Sequence, residues 1–318
     1  MALFTAEVST DQTTRAIERG MVDLHRASRL PSTVSTAIKR SARPETFAEA
    51  KARLSWLERA NIAFIRRTFE WSWMDRFCRW GCRVPGAGWV YACTRHLLQI
   101  HGLERLPPLS QLERVILVSN HRSFFDMYVI NAVLYKNGFR QRLLFPVRSG
   151  FFYDRFAGFF VNAIMSFWSM YPPIFRDRQR LSLNHTAFSE LARAVMTGRS
   201  AGIHPEGTRN MNDNPYTLLP AQNGVGRLIH LARGATVVPV FINGLINDLP
   251  RQIRGNFDGT GRRIHVVFGA PINYDEMLTG PASTRTYRSI VQRTMQAITT
   301  LGEEEKRLRA SMDRDQKS

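Results

Sequence analysis

The sequence predicts an α/β fold, in which helices cover the faces of a β-sheet, preceded by an N-terminal helical arm. Two observations carry this prediction. From residue 102 onward, short apolar runs rich in β-branched residues alternate with helical periodicity, which is typical of α/β sheets. Before that point, apolar residues recur at steps of three and four, which indicates helices. A hydrophobic content of 44% supports a core and excludes a disordered or collagen-like chain.

The apolar runs are the candidate strands, and the periodic stretches between them are the candidate helices. The strands are predicted at residues 115–118, 143–147, 201–203, 237–242 and 264–268. Helices are predicted at residues 188–196 and 226–232, and an amphipathic, charged helix at residues 285–312 closes the chain.

The arm combines wide aromatic residues on one helical face with arginines on others. That pattern suits a helix lying in a lipid headgroup layer, and equally a helix packed on its own domain with a solvated face. The sequence Pro-Gly-Ala-Gly at residues 85–88 ends this helix, and residues 89–100 are predicted to form a second one. The face consists of Ile62, Ile65, Phe69, Trp73, Phe77 and Trp80, and the arginines are Arg66, Arg67, Arg76 and Arg79.

A formal charge of +18 points to an anionic partner, such as nucleic acid, a membrane surface or a phosphorylated substrate. Residues 51–200 hold 22 basic against 9 acidic residues, so most of the excess lies in this stretch. The uncharged stretch at residues 156–174 is interrupted by polar residues and prolines, and is predicted to be a buried or interfacial segment. Three cysteines make neither a disulfide framework nor a zinc site.

The strongest candidate for chemistry is Ser-Asn-His-Arg-Ser-Phe-Phe-Asp at residues 119–126, directly after a predicted strand. Polar residues at the carboxyl end of a strand occupy the usual site position of an α/β sheet. Five helical residues turn about 500°, so His121 and Asp126 meet only if His121 lies in the turn and Asp126 at the helix start. The carboxylate would then orient the imidazole as a base. The alternative is a capped helix with a surface histidine and aspartate.

Two further blocks carry charged residues. His-Pro-Glu-Gly-Thr-Arg at residues 204–209 offers a hydroxyl acceptor in Glu206, close backbone approach at Gly207 and a phosphate fork in Arg209. Residues 174–178 end in two arginines. The alternatives are an ordinary turn with a surface ion pair for the first and a solvated charge run for the second.

Together these blocks resemble the glycerolipid (PlsC-like, lysophosphatidate) acyltransferase family. Asn120-His121 with Asp126 matches its His-x4-Asp motif, and residues 206–209 match its Glu-Gly-Thr-Arg block. Residues 175–178 resemble the arginine-bearing block between them, and residues 237–240 the final Val-Pro block. Order and spacing agree over about residues 100–270.

The resemblance implies a mixed sheet of the glycerol-phosphate acyltransferase type and an O-acyltransferase activity. A fatty acyl group would move from acyl-CoA or acyl carrier protein to a lysophospholipid hydroxyl in phospholipid biosynthesis, with 1-acyl-glycerol-3-phosphate as first acceptor and without a metal or other cofactor. The implied roles are His121 as general base, Asp126 as its orienting partner, Arg178, Glu206, Gly207, Thr208 and Arg209 in substrate binding, and Asn120 and Ser123 in support.

The predicted organisation is a weakly structured segment at residues 1–45, a membrane-docking arm at 46–101, an acyltransferase catalytic domain at 102–280 and a C-terminal helix at 281–318. The expected partner surface is an anionic membrane and not nucleic acid, with the protein peripheral or monotopic on the cytoplasmic face. Rival hypotheses are transfer to glycerol-3-phosphate, another lysolipid or an aminolipid, and a non-catalytic basic membrane-binding protein. His204, where the family usually has an aromatic or aliphatic residue, and Asn223, where lysine is frequent, depart from the pattern.

Overall fold

A computed structural model describes residues 46–315, apart from the side chains of Lys51, Asp313 and Asp315. The predicted weakly structured segment at residues 1–45 lies outside the described residues. The domain boundaries drawn from the sequence stay predictions.

Seven strands build the sheet at the centre of the fold. They are β1 (Leu98–His101), β2 (Val115–Ser119), β3 (Leu143–Arg148), β4 (Met170–Ile174), β5 (Ser200–Ile203), β6 (Thr236–Asn243) and β7 (Ile264–Phe268). Their order is β1-β7-β6-β2-β5-β3-β4. Neighbouring strands are parallel except β6 and β7, which run antiparallel. The predicted α/β fold with a mixed sheet is therefore confirmed.

Helices flank this sheet. They are α1 (Trp56–Glu70), α2 (Ser72–Gly81), α3 (Ala87–Ala92), α4 (Asp126–Lys136), α5 (Ser149–Phe152), α6 (Phe156–Ser166), α7 (Leu183–Met196), α8 (Gly224–Leu231), α9 (Leu249–Asp258), α10 (Asp275–Leu278) and α11 (Thr284–Asp315). Short 3-10 turns lie at Glu49–Arg53, Leu103–Arg105 and Arg178–Arg180, and a π-helical turn spans Cys82–Gly86.

The register of the central strands sets the position of the site. β2 and β5 are adjacent and parallel, with Val118 opposite Ile203. Both strands are buried along their whole length, as their continuous apolar sequences predict. The polar blocks that follow them, which begin at Ser119 and His204, therefore emerge side by side at one edge of the sheet.

The arm differs from its prediction in two ways. The helix predicted at residues 89–100 is wrong, because α3 ends at Ala92 and Leu98–His101 pairs with β7 as an edge strand. The single aromatic face is also wrong. The backbone of Trp71 is extended and separates α1 from α2, so Ile62 and Ile65 are buried whereas Trp73 is 60% exposed.

The uncharged stretch at residues 156–174 is divided between α6 and β4. β4 begins four residues after α6 ends, and it lies at the opposite edge of the sheet from β1. Among residues 46–315, no helix combines the length and apolar character that crossing a bilayer requires.

Candidate active site

The side chain of Asn120 pairs with the backbone of β6 and so fixes the turn after β2. The side-chain amide of Asn120 donates to the Ile242 carbonyl at 2.8 Å, and its oxygen accepts from the Ile242 N–H at 2.8 Å. Asn120 is buried, so these two bonds satisfy polar groups that would otherwise be unpaired. The next residue, His121, is thereby fixed at the carboxyl edge of β2 and β6.

His121 and Asp126 lie in contact in this turn. Nδ1 of His121 lies 3.1 Å from Oδ2 of Asp126, the first residue of α4. The backbone N–H groups of Arg122 and Ser123 donate to the same oxygen at 2.7 and 2.8 Å. Because an ionised carboxylate only accepts hydrogen bonds, Nδ1 carries the proton and Nε2 keeps its lone pair.

Burial sets the protonation of this pair. Together with the Arg209 guanidinium, it lowers the pKa of His121 to about 4. Burial also raises the pKa of Asp126 to about 6, against the backbone donors and the nearby His204 that favour its charged form. At neutral pH the imidazole is therefore neutral and the carboxylate ionised, which is the state a general base requires.

The block around Glu206 binds the backbone of the His121 turn. Glu206 is buried, and its Oε1 accepts from the His121 N–H at 2.8 Å while Oε2 accepts from the Leu219 N–H at 2.8 Å. The Asn210 N–H donates to the His121 carbonyl at 2.7 Å. Both carboxylate oxygens of Glu206 thus bind backbone, so Glu206 fixes the loop around His121.

Arg209 lies beside the imidazole at the surface. Its Nη1 donates to Oδ1 of Asn247 at 3.2 Å, and the same oxygen accepts from the Phe124 N–H at 3.0 Å. Gly207, with φ of +67°, and Thr208 are exposed next to it. The guanidinium is therefore available to an anion close to His121. Asn247, which lies beyond every motif, had no signal in the sequence.

The arginine block lies at the end of β4, and the predicted role of Arg178 stays a prediction. Arg178 is exposed in the 3-10 turn that follows β4. Arg176, which had no assigned role, donates from Nη2 to the Gly207 carbonyl at 3.1 Å and so contacts the second block. Arg180 donates to both oxygens of the buried Glu58 in α1, at 2.9 and 3.0 Å. This bond joins the arm to the turn beside the site.

The ring of His204 stacks on the ring of His121, the candidate general base. The rings of His121 and His204 have centroids 3.9 Å apart and planes inclined by 3°. With Asp126, they form a cluster whose ligand atoms lie within 4.8 Å of one another, as a metal site would require. A metal binds in the plane of an imidazole, along the nitrogen lone pair. The lone pairs of two parallel stacked rings do not converge, so this arrangement does not fit a shared metal.

A family model matches the part of the chain that forms the two motifs. Residues 97–243 match the family model described as Acyltransferase. This part of the chain is similar to that family. Among solved structures, the chain is similar to the 1-acyl-sn-glycerophosphate (LPA) acyltransferase PlsC from Thermotoga maritima, with 17% identity and a TM-score of 0.46 over 76% of this chain and 88% of that one. No curated protein matches.

The residues that match the Acyltransferase model contain both motifs of the candidate site. They begin next to β1 and end with the last residue of β6, so they include both the His121 turn and the Glu206 block, whereas Asn247 lies beyond them. The match supports the acyltransferase resemblance that the motifs indicated. The roles of the individual residues remain predictions.

Proposed function

We propose that this acyltransferase moves a fatty acyl group from the thioester of acyl-CoA or acyl carrier protein to a hydroxyl of a lysophospholipid, with 1-acyl-glycerol-3-phosphate as the first acceptor. The observation that carries the proposal is the 3.1 Å contact between Nδ1 of His121 and Oδ2 of Asp126. It leaves Nε2 of a neutral imidazole free beside an exposed arginine, within a domain of the acyltransferase family.

The reaction needs no covalent enzyme intermediate. Nε2 of His121 accepts the hydroxyl proton as the acceptor oxygen attacks the thioester carbonyl, and Asp126 stabilises the imidazolium that forms. The resulting tetrahedral oxyanion collapses, the C–S bond breaks, and the thiolate leaves with the proton returned by His121. An ester and a free thiol are the products, so atoms and charges balance without a cofactor.

Arginines support a phosphate-bearing acceptor. Arg209 is exposed and close enough to His121 to lower its pKa, so an anion bound there has its neighbouring hydroxyl near the base. A guanidinium offers a fork of donors that fits phosphate oxygens. Arg176, bonded to Gly207, and Arg178 are further exposed donors of the same charge. We assign the acceptor headgroup to this side of His121.

Aromatic residues next to the turn suit an acyl chain. Phe124 stacks on Phe152 with ring centroids 6.3 Å apart, and it also contacts Tyr128 at 5.5 Å. A small cavity adjoins Tyr128 and is lined in part by Met165 and Phe167. A fatty chain seated along these rings would place its thioester at the His121 turn.

The arm and α6 expose an apolar surface of the kind that docks on lipid. Side chains of α1 and α6 meet there, since Trp56 contacts Phe156 at 5.9 Å between ring centroids, and α2 exposes further aromatic residues. Exposed apolar patches rimmed by basic residues mark interaction sites, and this chain is strongly basic. We place the protein at the cytoplasmic face of an anionic membrane, where its acyl donors are found. The surface consists of Trp56, Trp71, Trp73, Phe77, Trp80, Val84, Phe156, Phe160 and Ile164.

The test is a panel of acceptors and donors with the purified full chain. Thiol release from acyl-CoA and acyl carrier protein is followed with 1-acyl-glycerol-3-phosphate, glycerol-3-phosphate, a neutral lysolipid and an aminolipid hydroxyl. We expect the fastest transfer to 1-acyl-glycerol-3-phosphate and its loss in His121→Ala. Turnover confined to an acceptor without phosphate would refute this acceptor, and unchanged turnover in His121→Ala would refute the base.

A further inference from the structure

His204 is the residue at which this chain departs most from the family motif, and it touches the proposed base. It follows β5 directly, one position beyond Ile203, which pairs with Val118 of β2. The strand register thus carries its ring to the His121 turn. Its Nδ1 lies 3.0 Å from Oγ and 3.1 Å from the carbonyl oxygen of Ser119, so the ring is anchored to the end of β2.

The two imidazoles stack in parallel. The centroid separation of 3.9 Å and the angle of 3° leave no room for another atom between the planes. His204 therefore lies against one face of His121, whose side chain remains 20% exposed. The two rings follow the neighbouring strands β2 and β5 and lie far apart in the sequence.

With Asp126 as its only restraint, the His121 ring could still tilt, and this tilt affects proton transfer. The hydrogen bond to Oδ2 restrains one atom, Nδ1, but it resists tilting of the ring only weakly. Transfer requires the lone pair of Nε2 to point at the acceptor hydroxyl within a narrow range of angles. A rigid ring against one face blocks the tilt in that direction.

His204 is itself a poor base. Burial lowers its pKa to about 3, and its Nδ1 is engaged with Ser119. It stays neutral when His121 takes up a proton, so the new imidazolium meets an uncharged π-face and not a second cation. A cation over an aromatic face is attracted to it.

Resting on the acyl transfer proposed above, we propose that His204 is a positioning residue that holds the plane of the His121 imidazole by stacking and so aims Nε2 at the acceptor hydroxyl. Its function lies in the flat aromatic face. Any planar ring of similar size at this position would perform it, and a branched aliphatic side chain would not.

The experiment compares His204→Leu with His204→Phe. Leucine fills comparable space without a flat face, and phenylalanine keeps the face without the nitrogen atoms. We expect kcat to fall about tenfold in His204→Leu with KM nearly unchanged, and to be largely restored in His204→Phe. His185→Leu, at an exposed histidine of α7, is the control for loss of an imidazole. Equal losses of kcat in the leucine and phenylalanine variants, or no loss in either, overturn the proposal.

A second comparison separates positioning from a general effect on the fold. In a His121→Ala background, His204→Leu has nothing to position and is expected to cause no further loss of the residual rate. The same tenfold loss in that background would show that His204 acts on the structure and not through His121.

A third measurement does not depend on activity. The Cε1–H resonance of His121, assigned by its loss in His121→Ala, is expected to carry a ring-current shift in the wild type and in His204→Phe, and to lose the shift and become more mobile in His204→Leu. A wild type without any acyl transfer would refute the proposed function, while this resonance still decides the stacking. An unchanged resonance in His204→Leu would overturn the positioning role.

Discussion

The Glu206 carboxylate accepts the backbone N–H of His121 at 2.8 Å, so the second motif of the chain holds the first by its main chain. The other carboxylate oxygen accepts from Leu219, thirteen residues further on. The family resemblance implies that Glu206 positions the acceptor. Its observed bonds show in addition a structural task, since Glu206 fixes the backbone of the residue that carries the proposed base.

Replacing Glu206 by Gln is expected to destabilise the protein and slow transfer. The amide retains one acceptor oxygen, and its NH₂ group faces the backbone N–H of Leu219 or His121. The free energy of unfolding should fall by about 1–3 kcal/mol, as for a buried donor left unpaired. Urea unfolding measures the change, with the exposed Glu276→Gln as the matched control. Equal free energies of unfolding for the two variants would contradict the role of Glu206 in fixing the backbone of His121.

The pKa of His121 is expected to rise when Arg209 loses its charge. Burial and the Arg209 guanidinium both lower the pKa of His121, to about 4. Arg209→Gln removes the positive charge, so the imidazole should take up its proton at higher pH. Arg209→Lys keeps the charge and should leave the titration in place. NMR titration of the His121 ring resonances measures the pKa, and the same midpoint in all three proteins would argue against the coupling.

Asp126→Asn is expected to reduce kcat about 10²- to 10⁴-fold with a folded protein. The asparagine oxygen can take the place of Oδ2, which accepts from both backbone N–H groups and faces Nδ1 of His121. The imidazole then keeps its tautomer but loses the negative charge that stabilises the imidazolium formed on proton transfer. The NH₂ group takes the place of Oδ1, which is buried without a hydrogen-bond partner. Steady-state kinetics give the loss, and thermal unfolding reports the fold. An asparagine variant with wild-type kcat would exclude this role of the carboxylate.

The same variant makes a prediction about stability and pH. Burial raises the pKa of Asp126 from 3.8 to about 6, so between these values the native state binds the proton more tightly than the unfolded chain. The contribution of Asp126 to stability should therefore fall as pH rises through this range, opposite in sign to the contributions of His121 and His204, whose pKa values are lowered. Asparagine does not titrate, so the stability of the wild type relative to Asp126→Asn should fall as pH rises. Urea unfolding at the two ends of the range measures the difference, and parallel curves would contradict it.

Binding to anionic vesicles is expected to depend on the exposed aromatics of α2. Replacing Trp73, Phe77 and Trp80 together by serine removes much of the apolar surface and should release most of the protein in sedimentation with anionic vesicles. Phe257→Ser, at an exposed aromatic of α9, is the control. Undiminished sedimentation of the triple variant would refute docking by this surface.

The sequence predicted the inner strands of the sheet and missed both edges. β2, β3, β5, β6 and β7 are apolar runs because they are buried. β1 is four half-buried residues, and β4 contains Pro172-Pro173, which reads as a strand terminator. An edge strand tolerates proline because one of its sides needs no ladder hydrogen bonds. The sequence signal for a strand is therefore weak at the two edges of the sheet, where fewer backbone groups are paired.

The sequence predicts the part of the site that depends only on the spacing of residues along the chain. The pairing of His121 with Asp126 follows from five positions across a turn. The stacking of His204, the bond from Arg176 to Gly207 and the acceptor role of Asn247 depend on which strands are neighbours and in what register. That information is spread over the whole chain, so no local pattern contains it.

The bond between Arg180 and Glu58 has a consequence for protein engineering. Glu58 is fully buried and also accepts from the N–H of Ser55, which caps α1, so one carboxylate fixes both the start of that helix and the turn after β4. A chimera that grafts α1 from another protein must bring an acid at this position. Without one, the graft would lose the hydrogen bonds that join α1 to the turn after β4.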